Sequence, residues 1–224
     1  MNRFTFLPPV LFFLFCCLSA CGPSDATDET AALDIDFKRT TDNALIRLEA
    51  EPDRLTPLLT TSNYSNEVIE NIFQPLMEPD PETLEFIPVL IKSRPEIEEL
   101  TDGPFQGGIA YTFEIFDEAV WTDGQPVTGL DYVFTLKAVL NPRVQAAPYR
   151  PYVSLIRAVQ VDPYNPKRFT VFTAEKFFQS MEYIANTFVV LPAHHYDPEG
   201  LLSEIPLADL IDQEKAAQMA ENDQ

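Results

Sequence analysis

The chain has 224 residues, of which 46% are apolar, enough to build one large domain or two small ones around a real core. Its 35 acidic and 15 basic residues give a formal charge of −20, which argues against nucleic-acid binding through backbone phosphates, since that needs clustered Lys and Arg. Outside the N-terminus no apolar run is long enough for a membrane-spanning helix.

The first predicted element is a targeting segment, residues 1–20. Arg3 is a thin positive region, and 4–17 is an apolar stretch too short to span a bilayer comfortably. "LSAC", Leu18 to Cys21, followed by Gly22, resembles a bacterial lipobox, in which the Cys becomes the lipid-bearing first residue. Ser19 and Ala20 supply the small residues such a cleavage site needs. An ordinary secretory signal with a chance Cys is the plainer alternative. Cys16 and Cys17 leave with the leader and Cys21 is alkylated, so no thiol is left for a disulfide, a metal or catalysis. Residues 21–41 are small, polar and acidic, and read as a tether. Twenty such residues reach ~70 Å when extended and ~25 Å as a coil.

The predicted folded part, 42–224, alternates strands and helices. "NALIRLEA", 43–50, is an alternating strand. A helix is predicted over 66–77, with Val68, Ile69, Ile72, Phe73 and Leu76 on one stripe, Ser65 or Asn66 as cap, and Pro79 and Pro81 as stop. "TLEFIPVL" is extended. "RPEIEEL" and "IAYTFEIF" form a hairpin with Ile109, Tyr111, Phe113 and Ile115 on one face. Trp121, the only tryptophan, leads into the turn Thr122-Asp123-Gly124. Thr128 and Asp131 have capping-box spacing, opening a helix over 129–140 that is expected to bury Leu130, Val133, Phe134 and Leu140. A second hairpin, "IRAVQVD" and "RFTVFTA", follows. "KFFQSMEYIAN" reads as a short helix, "TFVVLPAHHYDPEG" as a strand leaving into a loop, and "PLADLIDQEKAAQMAEN" as a terminal helix.

The order of these pieces resembles the extracellular solute-binding proteins of ABC importers that take oligopeptides, dipeptides and nickel chelates. "EPDRLTPLLTTSNYSNEVIENIFQPLM" is similar to the family's first pocket loop and helix. "YTFEIFDEAVWTDGQPVTGLDYVFTLKAVLNP" is similar to its Asp-Gly-x-Pro signature, "IRAVQVDPYNPKRFTVF" to the hairpin after it, and "FVVLPAHHYDPEG" to its Pro-x-His segment. The likeness runs over about 43–200. It implies an α/β, type II periplasmic-binding-protein-like fold, here one lobe plus an inserted subdomain, incomplete. Family members are far longer, so the resemblance implies a fragment, a frameshifted product or a reduced relative. It further implies a peptide or similar small solute as ligand, ABC permease subunits as partners, and a place in the cell envelope, anchored by lipid at Cys21.

By the same resemblance, Asn63, Tyr64 and Ser65 lie where a ligand backbone would run. The alternative is that they cap the helix and fill a turn. Phe134 stands where some members have a pocket-facing aromatic, although it also continues the helix stripe, which is the reading favoured here. In the family the aromatic at Trp121 is a core anchor. His194-His195 with Asp197 is a poor metal set, because neighbouring side chains rarely reach one ion, and His194 is expected to be structural. No cofactor is expected. No nucleophile motif supports a hydrolase. An envelope lipoprotein with a structural or sensory role on the same lobe is the alternative to a binding protein.

Overall fold

The computed structural model describes residues 49–221. The predicted leader, Cys21, the tether and nearly all of the 43–50 strand lie outside the described residues.

Two sheets carry the architecture. Strands β1 (Met77–Pro79) and β2 (Phe86–Pro88) pair antiparallel. The larger sheet holds β3 (Glu96–Glu99), β4 (Ile109–Glu114), β5 (Ile156–Val161) and β6 (Arg168–Thr173), in the antiparallel order β3-β4-β6-β5. Both predicted hairpins are present. The period of two puts Ile109, Tyr111 and Phe113 of β4 on one face, with Ile115 just beyond, and all four are buried as expected. Register then sets Phe113 opposite Phe169 and Tyr111 opposite Val171. The rings of Phe113 and Phe169 stack at 5.4 Å. Each fully buried side chain of this size contributes about 1.5–3 kcal/mol.

Helix α1 is Asn63–Ile69 and α2 is Gly129–Leu140. Helix α2 crosses the buried face of the larger sheet. Its start follows the capping box: Asp131 Oδ2 accepts from the Thr128 N–H at 2.8 Å, and Thr128 Oγ1 accepts from the Leu130 N–H at 3.2 Å. Gly129 sits against Phe169 so closely that a Cβ would lie 2.9 Å from the Phe169 Cβ. The Tyr132 ring lies 4.9 Å from Phe169 and 5.3 Å from Phe188, and its hydroxyl donates to the Ile184 carbonyl at 3.0 Å.

The inward stripe of α2 differs from the one expected. Tyr132, Leu136 and Val139 are fully buried, whereas Leu130 is exposed and Val133 and Leu140 are half-buried. Phe134 is in the core as read. The polar flank is buried too, because it binds the segment that follows residue 190. Asp131 Oδ1 accepts from the Ala193 N–H at 2.9 Å, Thr135 Oγ1 accepts from the Leu191 N–H at 2.9 Å, and Lys137 Nζ donates to the Ser203 carbonyl at 2.8 Å. Helical periodicity assumed one apolar face, and here polar side chains are drawn in by backbone groups.

The helix expected over 66–77 ends at Ile69. The Asn71 and Ile72 N–H groups reach back only three residues, to Val68 and Ile69. Pro75 bars the helix from resuming: it has no N–H to donate, and it disfavours helical geometry at Gln74. Leu76 and Met77 are buried beside and in β1 instead, and Ile72 is exposed. The cap also differs, since Ser62 holds that position without a side-chain bond and Ser65 and Asn66 are inside the helix.

Three short helices complete the middle and C-terminal parts: α3 (Arg150–Val153), α4 (Ser180–Asn186) and α5 (Ala193–Tyr196). The strand expected within "TFVVLP" is not formed. Val190 N–H donates to the Gln74 carbonyl, but no ladder develops, and His194 and His195 are helical. The terminal helix is two, α6 (Leu207–Ile211) and α7 (Gln213–Glu221), because Asp212 is extended and its carboxylate accepts from the Glu214 and Lys215 N–H groups.

Candidate functional site

A groove of about 720 Å³ opens beside α1. This is within the usual size of small-ligand sites, about 300–1,000 Å³. Helix α1 contributes Asn66 and Ile69, the turn after it contributes Glu70, Phe73 and Gln74, and β1 contributes Glu78. The far wall is Tyr149 with Asn186 and Thr187, at the ends of α3 and α4. These three also line an adjoining cavity of about 510 Å³, whose other walls include Phe86, Tyr152, Glu182 and Tyr183. The early end of α1, with Pro75 barring its continuation, leaves space where another two turns of helix would have stood.

The lining combines aromatic faces with amide and hydroxyl groups, the usual mixture for holding a small polar ligand. Tyr149 anchors the wall through its hydroxyl, which donates to the Pro57 carbonyl at 3.2 Å, and burial pushes its phenol above the usual range. Tyr152 and Tyr183 meet edge to face at 5.1 Å.

Of the residues singled out from sequence, Ser65 is fully buried and already committed. Its hydroxyl donates to Asp53 Oδ1 at 2.6 Å and accepts from the Asp53 N–H at 3.1 Å. Thr60 donates to the same carboxylate oxygen at 2.6 Å. The Ser65 and Thr60 hydroxyls hold Asp53 below the ordinary carboxylate range. Ser65 therefore fastens the loop before α1. Asn63 is exposed and Tyr64 half-buried, and neither side chain forms a hydrogen bond among the described residues. Asn63 lies one turn before Asn66, but neither Asn63 nor Tyr64 lines the groove. Phe134 is 6% exposed within the core. Tyr149, Asn186 and Thr187 were missed by the sequence reading. The tyrosine-rich "APYRPY" stretch was the available signal.

Trp121 is half-buried and packs against the core. Its turn is closed by its own N–H donating to the Gln125 carbonyl at 2.8 Å, and Gly124 adopts φ 86° to complete it. His194 Nε2 lies 2.7 Å from Asp123 Oδ2 in that turn. Among the described residues no group of three or more His, Cys, Asp or Glu is placed to hold a metal.

No family model matches the sequence, and no curated protein matches it significantly. Solved structures do match. The murein tripeptide binding protein MppA of Escherichia coli aligns with 71% of this chain and 32% of its own, at 18% identity and a TM-score of 0.53. The ABC transporter substrate binding protein CtaP of Listeria monocytogenes aligns with 67% of this chain and 28% of its own, at 22% identity and TM-score 0.52. An oligopeptide binding protein of Thermus thermophilus, complexed with pentapeptide, aligns with 72% and 28%, at 16% identity and TM-score 0.50. The chain thus spans about a third or less of the length of the structures it matches. Over about 70% of its own length it has, in part, the type II periplasmic-binding-protein-like fold of peptide-binding ABC substrate-binding proteins.

Proposed function

We propose that this chain captures peptides or similar small solutes for an ABC importer, from a position in the cell envelope where it is anchored by lipid at Cys21 and docks with permease subunits. The observation that carries the reading is the groove between α1, β1 and the ends of α3 and α4. It has ligand size and a mixed aromatic and polar lining, and it occurs in a fold shared with peptide-binding proteins. Binding by such a groove needs no covalent step, so the role is capture and delivery. Asn66, with Asn63 one turn before it, is proposed to meet the ligand from α1, with Tyr149, Asn186 and Thr187 opposite. Phe134 supports α2 from within the core, and Ser65 holds the loop.

A tripeptide in this groove keeps one side in water, because Glu70, Gln74 and Glu78 at its border are exposed. The cost of association is still met in full, so the expected dissociation constant is about 1 mM or weaker. The test is an NMR titration with tri-alanine. Saturable shifts at the Tyr149, Asn186 and Thr187 amides are the expected result. Shifts scattered over the whole surface, or none at millimolar peptide, would refute it. In cells, deletion of the gene should reduce uptake of a labelled peptide.

A further inference from the structure

The charge of the groove is one-sided. Glu70 and Glu78 line the larger cavity and Glu182 the adjoining one, and no Lys, Arg or His lines either. None of the three carboxylates has an ion-pair partner among the described residues. Some carboxylates elsewhere are paired, Glu96 with Arg168, Glu99 with Lys176, and Glu114 with Lys92. Cations close in sequence to the walls are occupied: Arg54 pairs with Asp53, and Lys92 with Glu114 and Asp117. Arg94 donates to the Phe86 carbonyl and pairs with Glu85, and the Arg150 guanidinium is spent on the carbonyls of Val139, Asn141 and Val144. Tyr149 lines both cavities, and Tyr152 and Tyr183 line the one with Glu182; all three rings are partly exposed, and their faces attract cations.

We infer that the groove selects peptides bearing Lys or Arg side chains. The inference rests on the peptide-capture reading above. A cationic side chain in the groove meets unpaired carboxylates and tyrosine faces together, while an acidic one meets only repulsion. The attraction is partly screened because the carboxylates are near water, so the expected preference for tri-lysine over tri-alanine is roughly tenfold at low salt. Tri-glutamate is expected to bind more weakly than either.

The experiment titrates the full chain with tri-alanine, tri-lysine and tri-glutamate, following the Tyr149, Asn186 and Thr187 amides by NMR. A chain of charge −20 attracts cations everywhere, so two triple variants separate groove from bulk charge. Glu70→Gln/Glu78→Gln/Glu182→Gln should bring tri-lysine to the affinity of tri-alanine. Glu98→Gln/Glu199→Gln/Glu204→Gln makes the same change in net charge on exposed residues away from the groove, and should keep the preference. Equal affinity of tri-lysine and tri-alanine for the unaltered chain, or equal loss in both variants, overturns the selectivity and leaves peptide capture standing. Failure of all three peptides to bind overturns peptide capture itself, and this inference with it.

Discussion

Asp123 and His194, 71 positions apart in sequence, meet at 2.7 Å. The contact joins the turn after Trp121 to α5. Asp123 is held below the ordinary carboxylate range first by the Gln125 N–H and then by His194. A depressed carboxylate contributes stability that is present above its unfolded pKa, about 3.9, and is lost as pH falls through the lower folded value. Asp123→Ala should therefore lower the urea midpoint at pH 6, and the difference from the unaltered chain should close below that folded value. A gap of the same size at pH 2 would mean that the carboxylate charge is irrelevant to the contact.

Gly129→Ala should destabilise. In an exposed helix interior the change would stabilise by about 0.8–1 kcal/mol. Here the new Cβ meets the Phe169 Cβ at 2.9 Å, inside normal contact distance. Displacing the sheet or the helix start costs roughly 1–3 kcal/mol. Urea denaturation checks the sign, and a more stable Gly129→Ala chain would show that α2 can move off the sheet freely.

Ser65→Ala separates the two roles open to that residue. The buried hydroxyl serves Asp53 as both donor and acceptor. Its loss should lower the urea midpoint, loosen the loop before α1, and weaken tri-alanine binding only as far as the loop shifts. Unchanged stability together with abolished binding would instead make Ser65 a direct ligand contact.

Cys21→Ala should abolish labelling by palmitate and release the protein from the membrane fraction. Each buried CH₂ of an acyl chain contributes about 0.8 kcal/mol, so two or three chains hold firmly. Membrane association that persists with label in the Cys21→Ala protein would overturn the lipid anchor.

Local rules suffice wherever one residue type has a single good use. Sequence alone determined the hairpins around β3–β4 and β5–β6, the buried face Ile109, Tyr111, Phe113 and Ile115, and the Thr128–Asp131 cap of α2, because strand alternation and capping act between neighbours in the chain. It also determined that Asn141-Pro142 ends α2. That α1 could not run past Gln74 was equally local, since Pro75 was there to be read. Tertiary structure decided which face of α2 points inward, because Asp131, Thr135 and Lys137 became buried only by binding backbone groups at Ala193, Leu191 and Ser203. It turned Ser65 into a partner of Asp53 and gathered Tyr149, Asn186 and Thr187 opposite Asn66 and Glu70. Hydrogen bonds and groove walls across such separations depend on how helices stack on a sheet, and no local periodicity encodes that geometry.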